Sequence, residues 1–413
     1  MRRSRPIWRD PVWLMLLTLI AGFALSQAFR TVGAIMATPL QREFAVSAQG
    51  LGLFAGAYHF AFGALQLAMG IGIDLYGVRR TMLAAFPLAI AGAALSAAAP
   101  NFALLVLGQV LIGIGCAPAF LACTVFIARH FPAARFAAMS GLALGMGSTG
   151  LLLTGTPLAW LIEHSSWRAG FVALGIASSL AWLVIWWRGR ERESGDSART
   201  PVEATARPWT AALQSYGDLF RLPHTLGIVA LSAVTYASFI SLRGLWLGPL
   251  LIERHGFSLV QSGNVALVVS IVGILGPPFF GRLDPGATRR RRWIMAFTLI
   301  TAAIFAAMAF DPDVAVDIGG AMATAFLSGF IVLQYTDVRA AYPAAMTGRA
   351  MALFTMAMFL GVAGMQWLTG AVATAAAALG ADPFMGVLGC IALLLALGAL
   401  AFYKLPGPSN QAN

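Results

Sequence analysis

"GIGIDLYGVRR", residues 70–80, packs one acid, Asp74, and two arginines, Arg79 and Arg80, into a short stretch punctuated by glycine. What flanks it decides how it is read. Upstream, residues 50–72 contain no Asp, Glu, Lys or Arg; downstream, residues 82–99 contain none either. A membrane crossing by a helix needs about 20 such residues. The charged stretch is therefore a polar turn between two apolar crossings.

Working outward, the pattern repeats along the chain. Of 413 residues, 59% are hydrophobic and only 10% charged, with a mean hydropathy of +0.80. A soluble domain carries roughly 25% charged residues, so the composition is that of a membrane protein. Apolar runs fall at 12–37, 50–72, 82–99, 102–128, 139–162, 169–187, 226–252, 265–281, 293–310, 318–336, 350–375 and 384–403. They are continuously apolar and do not alternate, which calls for helices and not a barrel. The basic start "MRRSRPIWRDPVW" looks like a secretory leader, but the run behind it is too long, so it reads as a retained first span. Cys116, Cys123 and Cys390 fall inside spans and read as packing residues.

The 27 basic residues set the orientation. With the N-terminus in the cytoplasm, 22 lie in cytoplasmic loops and tails; Arg42, Arg168 and Arg254 lie opposite; Arg30 and Arg243 lie inside spans. That bias is the positive-inside pattern, with both termini cytoplasmic, as in a bacterial-type inner membrane. The net charge of +11 is thus topology, and "RRRRW" at 289–293 is a cytoplasmic anchor and not a nucleic-acid patch.

The longest polar stretch, residues 188–224, separates six spans from six. The expected layout is a tail (1–11), a six-helix bundle (12–187), a linker (188–224), a second bundle (225–404) and a tail (405–413). Within the linker, Trp209, Leu213, Tyr216 and Phe220 form a helical stripe, predicting a helix lying on the membrane surface. The halves echo each other. Arg30, Phe44 and Gly50 recur as Arg243, Phe257 and Gly263, each 213 residues later. "GIDLYGVRR" (72–80) has an echo in "GRLDPGATRRRR" (281–292), and "FPAARFAAMSGLAL" (131–144) in "YPAAMTGRAMAL" (342–353). Parallel repeats of six suit a transporter with alternating access.

On these residues the chain resembles the major facilitator superfamily. Gly70, Asp74, Gly77, Arg79 and Arg80 match its signature G-x-x-x-D-(R/K)-x-G-x-(R/K)-(R/K), with Leu75 departing where a basic residue is usual. The resemblance implies twelve transmembrane helices in two six-helix bundles related by a pseudo-twofold axis, and a conformational gate at these five residues. Asp74 could sit near a helix N-terminus or pair with a basic residue and so latch one conformation. Many proton-coupled members carry an arginine in the fourth span; here Gln109 of "QVLIGIG" (109–115) stands in its place. "GMGSTGLLLTGTPLAW" (145–160) loosely resembles the drug-antiporter signature, and its small residues equally suit helix contacts.

The arginines carry the functional reading. Arg30 and Arg243 lie 18 and 17 residues into spans one and seven, or roughly 26 Å along each helix. In the family architecture both helices line the central cavity, so the guanidiniums are expected to face each other. "FRTVGAIMATPLQREF" (29–44) resembles the first helix of organic-anion symporters and of organophosphate/phosphate antiporters, which implies that Arg30 serves an anionic substrate. No Asp or Glu lies near a span centre; Asp337 is nearest, at the end of span ten. Buried cations without a carboxylate are costly, and an entering anion relieves that cost. Guanidinium forks suit carboxylate and phosphate oxygens. Gln27, His59, Gln109, Tyr236, Tyr335 and Gln366 could line the path, with Gln66 and Gln334 as further polar span residues. Each could instead make a helix–helix hydrogen bond. His59 is the histidine well inside a span and so the candidate protonatable switch.

The symporters' acid beside the first-helix arginine is replaced by Phe29. Carboxylate-linked proton symport is therefore disfavoured and anion exchange is the simpler scheme. Two other functions compete: efflux of a hydrophobic or cationic compound, which predicts a cavity carboxylate, and a non-transporting sensor on the same fold. Nucleotide, metal and nucleophile motifs are missing from plausible contexts, so no enzyme and no cofactor is expected. The expected partners are a small anion and the bilayer, with no nucleic acid, and a monomer is expected.

Overall fold

A computed structural model describes residues 11–188, 216–283 and 285–405. The N-terminal basic tail, most of the linker with Trp209 and Leu213, and the last eight residues lie outside the described residues, as does the side chain of Asp74. Among the described residues, eleven helices are long and apolar enough to cross a membrane, and one bent pair supplies a twelfth. They are α1 (Val12–Phe44), α2 (Ala48–Ala64, continued after a 42° bend by Gln66–Ile73), α3 (Leu75–Ala97), α4 (Phe102–His130), α5 (Met139–His164) and α6 (Trp167–Trp187). The second half comprises α7 (Thr225–Arg254), α8 (Leu259–Arg282), α9 (Arg289–Phe310), α10 (Val314–Ala341), α11 (Met346–Ala378) and α12 (Pro383–Lys404).

The face carrying the Arg79–Arg80 turn is called here the basic face. Several helices that start on the opposite face are capped by side chains, because an N-terminal turn leaves main-chain donors unpaired. Ser47 accepts from Gly50 N (3.3 Å), Asn101 from Leu104 N (3.0 Å) and Asp382 from Phe384 N (2.8 Å). Ser258 accepts from Gln261 N (3.1 Å) while the Gln261 side chain accepts from Ser258 N (2.9 Å), a reciprocal box.

The internal repeat is written in the backbone. Gly77 (φ 82°, ψ 162°) and Gly286 (φ 81°, ψ 166°) occupy equivalent turns in a conformation only glycine adopts easily. Phe131–Pro132 (φ −117°, −57°) and Tyr342–Pro343 (φ −120°, −56°) match in the same way. In the signature stretch two helices meet at a kink, where Gly77 leaves the helical dihedrals, so the span after it starts within the stretch and not near residue 82. Of the linker stripe, Tyr216 is half-buried and Phe220 is 46% exposed, while Leu219 is fully buried against the α7–α12 half. The inward-facing residue of that turn is therefore Leu219 and not Phe220.

The halves meet along three helix pairs. On α2–α11, Gly52, Gly56 and Gly63 lie against Gln366, Ala363 and Phe359–Leu360. On α1–α7, Gly33 faces the Gly244 carbonyl and Gly248 abuts Ala34. On α5–α8, Gly155 faces Gly263, and Thr156 Oγ1 donates to Asn264 Oδ1 (2.6 Å). Small residues let backbones approach where no hydrophobic force exists between helices in lipid. All three contacts run from mid-helix toward the opposite face. Nearer the basic face, Gly141 and Gly145 of α5 have open space within 4 Å of the point where a Cβ would sit, so the halves diverge there.

Candidate functional site

Arg30 sits where α1, α2, α7 and α11 converge. It is 5% exposed. Nη1 donates to the Tyr236 hydroxyl on α7 (2.7 Å), and the guanidinium lies over the rings of Phe62 on α2 (5.1 Å) and Phe359 on α11 (4.6 Å). Two ring faces offset part of the cost of burying a cation. Nε has no partner. Tyr58, on α2, donates to the Ser26 carbonyl (3.0 Å) and so holds α2 against α1 one turn from Arg30.

Other expected site residues are present with unused polar atoms. His59 is fully buried; Nδ1 lies 3.1 Å from the Ala55 carbonyl, Nε2 has no partner, and the ring stacks near Phe359 (6.5 Å). Gln366 is fully buried with neither amide atom paired, and it faces Gly244 of α7. The Tyr335 hydroxyl points to Met358 Sδ (3.7 Å), with its ring edge-on to Phe354. Gln109 is buried on α4 with Nε2 unpaired and makes no bond to this group. The Gln27 Cβ lies beside Gly150 of α5, and its buried Oε1 has no partner. Gln66 and Gln334 are engaged locally, Gln66 donating to the Phe62 and Ala117 carbonyls (3.3 Å each) and Gln334 accepting from Thr235 (3.1 Å).

Arg243 is fully buried on the other flank. Nε donates to Ser270 Oγ on α8 (2.9 Å) and Nη2 to the Leu151 carbonyl on α5 (3.0 Å), with longer contacts to the Thr154 carbonyl (3.5 Å) and hydroxyl (3.4 Å). The hydrogen-bond and ring partners of the two arginines have no residue in common, so the two guanidiniums are not held by one set of side chains. Symmetry explains the departure from expectation. Helices α1 and α7 touch each other about the pseudo-twofold axis, so equivalent positions project to opposite flanks: Arg30 toward α2 and α11, Arg243 toward the equivalent α8 and α5. Among the described residues no carboxylate lies within ion-pair distance of either arginine. Arg243 sits in a π-helical turn, Leu242–Trp246, a distortion frequent at functional sites.

At the basic face, Arg79 Nη2 donates to the Trp186 carbonyl (2.9 Å) at the end of α6, where a cation complements the helix dipole. Arg80 is exposed on a groove of ≈ 370 Å³ shared with Met69, Gly72, Tyr76 and Leu88. Gly70 approaches Leu121 of α4. Sequence reasoning missed three features. Phe62 and Phe359 read as core because an aromatic in an apolar run carries no signal of the cation it covers. Tyr58 is similarly silent. The third is a buried ionic cluster at the opposite face: Asp317, fully buried, accepts from Arg254 (3.1 Å) and pairs with His255 (2.7 Å), while Arg254 also pairs with Asp382.

A model of the Major Facilitator Superfamily matches residues 18–365. The chain belongs to the Major Facilitator Superfamily. Its similarity to curated members is low but extended: 22% identity over 275 residues to the hexuronate transporter of Bacillus subtilis, covering 65% of this chain and 63% of that one. It is 23% identical over 269 residues to the "probable sulfoacetate transporter SauU" of Cupriavidus necator, covering 63% of this chain and 62% of the relative. The match thus spans a little under two thirds of those relatives. Among solved structures, a D-xylose–proton symporter superposes with a TM-score of 0.75 at 15% identity, over 97% of this chain and 99% of that one. A bacterial homologue of the human lysosomal transporter Spinster, inward-facing and unoccupied, gives 0.69 at 18% identity, over 96% and 95%. Facilitator family membership and the helices long and apolar enough to cross a bilayer make this an integral membrane protein.

Proposed function

We propose that this facilitator moves a small organic anion by alternating access, and that Arg30 is its anchor. One observation carries the reading: a buried guanidinium at the junction of both halves, with an unpaired Nε and no carboxylate in reach. Such a cation needs a counter-charge, and a bound carboxylate, sulfonate or phosphate provides it with matching fork geometry. Relatives named for a hexuronate and for sulfoacetate both handle organic anions, which supports the same class here. The unpaired Nε2 of His59 and the amide of Gln366 are then available to polar groups on the anion's body. The absence of an acid near Arg30 among the described residues disfavours a cationic cargo and suits exchange of one anion for another. The basic face is read as cytoplasmic from its arginines, so the divergence of the halves there makes this an inward-facing arrangement.

A thermal-shift screen tests the reading. Purified protein is heated with hexuronates, sulfoacetate, phosphate esters, dicarboxylates and inorganic phosphate, beside a panel of organic cations. The expected result is stabilisation by at least one anion and by no cation. Stabilisation by cations alone contradicts the proposal.

A further inference from the structure

We infer that Arg243, the symmetry mate of Arg30, is a positioning residue: a latch that holds the face opposite the basic turn closed by filling the acceptors of a broken helix in the other half. The inference rests on the reading of Arg30 as the anion's anchor only for the contrast between the two arginines.

The break lies in α5. Its helix stops at Leu153 and resumes at Thr156, with Gly155 between (φ −95°, ψ −129°) and Pro157 in the first turn of the new segment. Proline has no N–H to donate, and a helix end leaves carbonyls without partners. In this gap the Leu151 carbonyl takes the Thr154 hydroxyl (3.1 Å) and Arg243 Nη2 (3.0 Å), and the Thr154 carbonyl also faces Nη2. The guanidinium thus stands in for donors the helix has lost. It does so across the halves, since Arg243 belongs to α7 and the carbonyls to α5. Its other partner, Ser270, is on α8, the helix that crosses α5 at Gly155–Gly263 and Thr156–Asn264. Separating α5 from α8 strips Arg243 of all its α5 acceptors at once.

The symmetry-equivalent position shows why the arginines diverge. Helix α11, equivalent to α5, is unbroken from Met346 to Ala378. It offers Arg30 no free carbonyl, only the ring of Phe359. One arginine keeps an unpaired donor beside aromatic faces; the other is tied to main chain. A hydroxyl bridge links them: Thr31, next to Arg30, bonds Thr154 Oγ1 at 2.7 Å, and Thr154 is the residue Arg243 holds.

The test is a distance measurement between halves. Spin labels go on Glu163→Cys at the end of α5 and Pro312→Cys between α9 and α10, both exposed, in a Cys390→Ser background. Double electron–electron resonance is recorded on the full-length protein with Arg243 intact and with Arg243→Gln. The latch predicts that Arg243→Gln raises the long-distance population at least threefold, that Thr154→Val and Ser270→Ala shift it in the same direction by less, and that Arg30→Gln leaves it unchanged. With the α5–α8 crossing chemically cross-linked through Thr156→Cys and Asn264→Cys, Arg243→Gln should bind the best anion of the screen within threefold of the parent. An unchanged distance distribution in Arg243→Gln, or a lost anion affinity in the cross-linked variant, overturns the latch. If Arg243→Gln does not fold, unchanged distributions in both Thr154→Val and Ser270→Ala overturn it as well. The distance readout needs no ligand, so it stands or falls separately from the anion screen.

Discussion

At the scale of single residues, identical side chains at equivalent positions have different surroundings, and those surroundings set what each can do. Arg30 is held by one hydroxyl and two rings, Arg243 by a hydroxyl and main-chain carbonyls. Tyr236→Phe removes a charge-assisted hydrogen bond, worth about 1.5–3 kcal/mol when buried. It should weaken anion affinity by about tenfold in a calorimetric titration and lower the thermal midpoint of the free protein as well. The Arg254–Asp317 pair predicts an effect on stability alone. Both side chains are buried, at 8% and 0% exposure, and removing one partner strands the other's charge. Asp317→Ala should lower stability by about 3 kcal/mol or more, read as a lower melting temperature of detergent-purified protein. Sequence could find Arg30 and Arg243, because a charge in an apolar run stands out. It could not find the Arg254–Asp317 pair, because both residues sit at span margins, where solvent is the default partner.

At the scale of elements, the helices follow from charge-free runs bounded by caps, and the repeats follow from their backbones. Gly77 and Gly286 hold the same positive-φ, extended-ψ conformation in both halves. An L side chain there costs about 1–3 kcal/mol. Gly77→Ala and Gly286→Ala are each expected to slow transport in liposomes, with thermal midpoints lowered by a similar amount in both variants. A large effect at one glycine and none at the other would separate two turns that the backbone makes equivalent. The span boundaries were less legible. Helix resumes within the signature stretch directly after the kink at Gly77, and hydropathy cannot distinguish a charged helix end from a loop. The break in α5 was visible only as "TGTPLAW", a cluster of glycine and proline that small-residue packing explains equally well. What gives it meaning is Arg243, 89 residues from Thr154 in sequence.

For the whole molecule, the fold was legible almost entirely, because twelve long apolar runs and a repeat leave few architectures open. The relation between the two arginines was not. A pseudo-twofold axis through touching helices sends equivalent side chains apart, and that depends on which flank each helix presents, a property of packing and not of spacing. Orientation gives a prediction at this scale. A fluorescent protein fused to the C-terminus should fluoresce in intact bacterial cells and a phosphatase fused there should be inactive, since the basic face is read as cytoplasmic. The central claim is that Arg30 anchors an anionic cargo. Its most direct test is a calorimetric titration of the best anion from the screen into the parent and into Arg30→Gln. The parent should bind, and Arg30→Gln should bind at least about 30-fold more weakly at an unchanged melting temperature. Retained affinity in Arg30→Gln, within threefold of the parent, would contradict it.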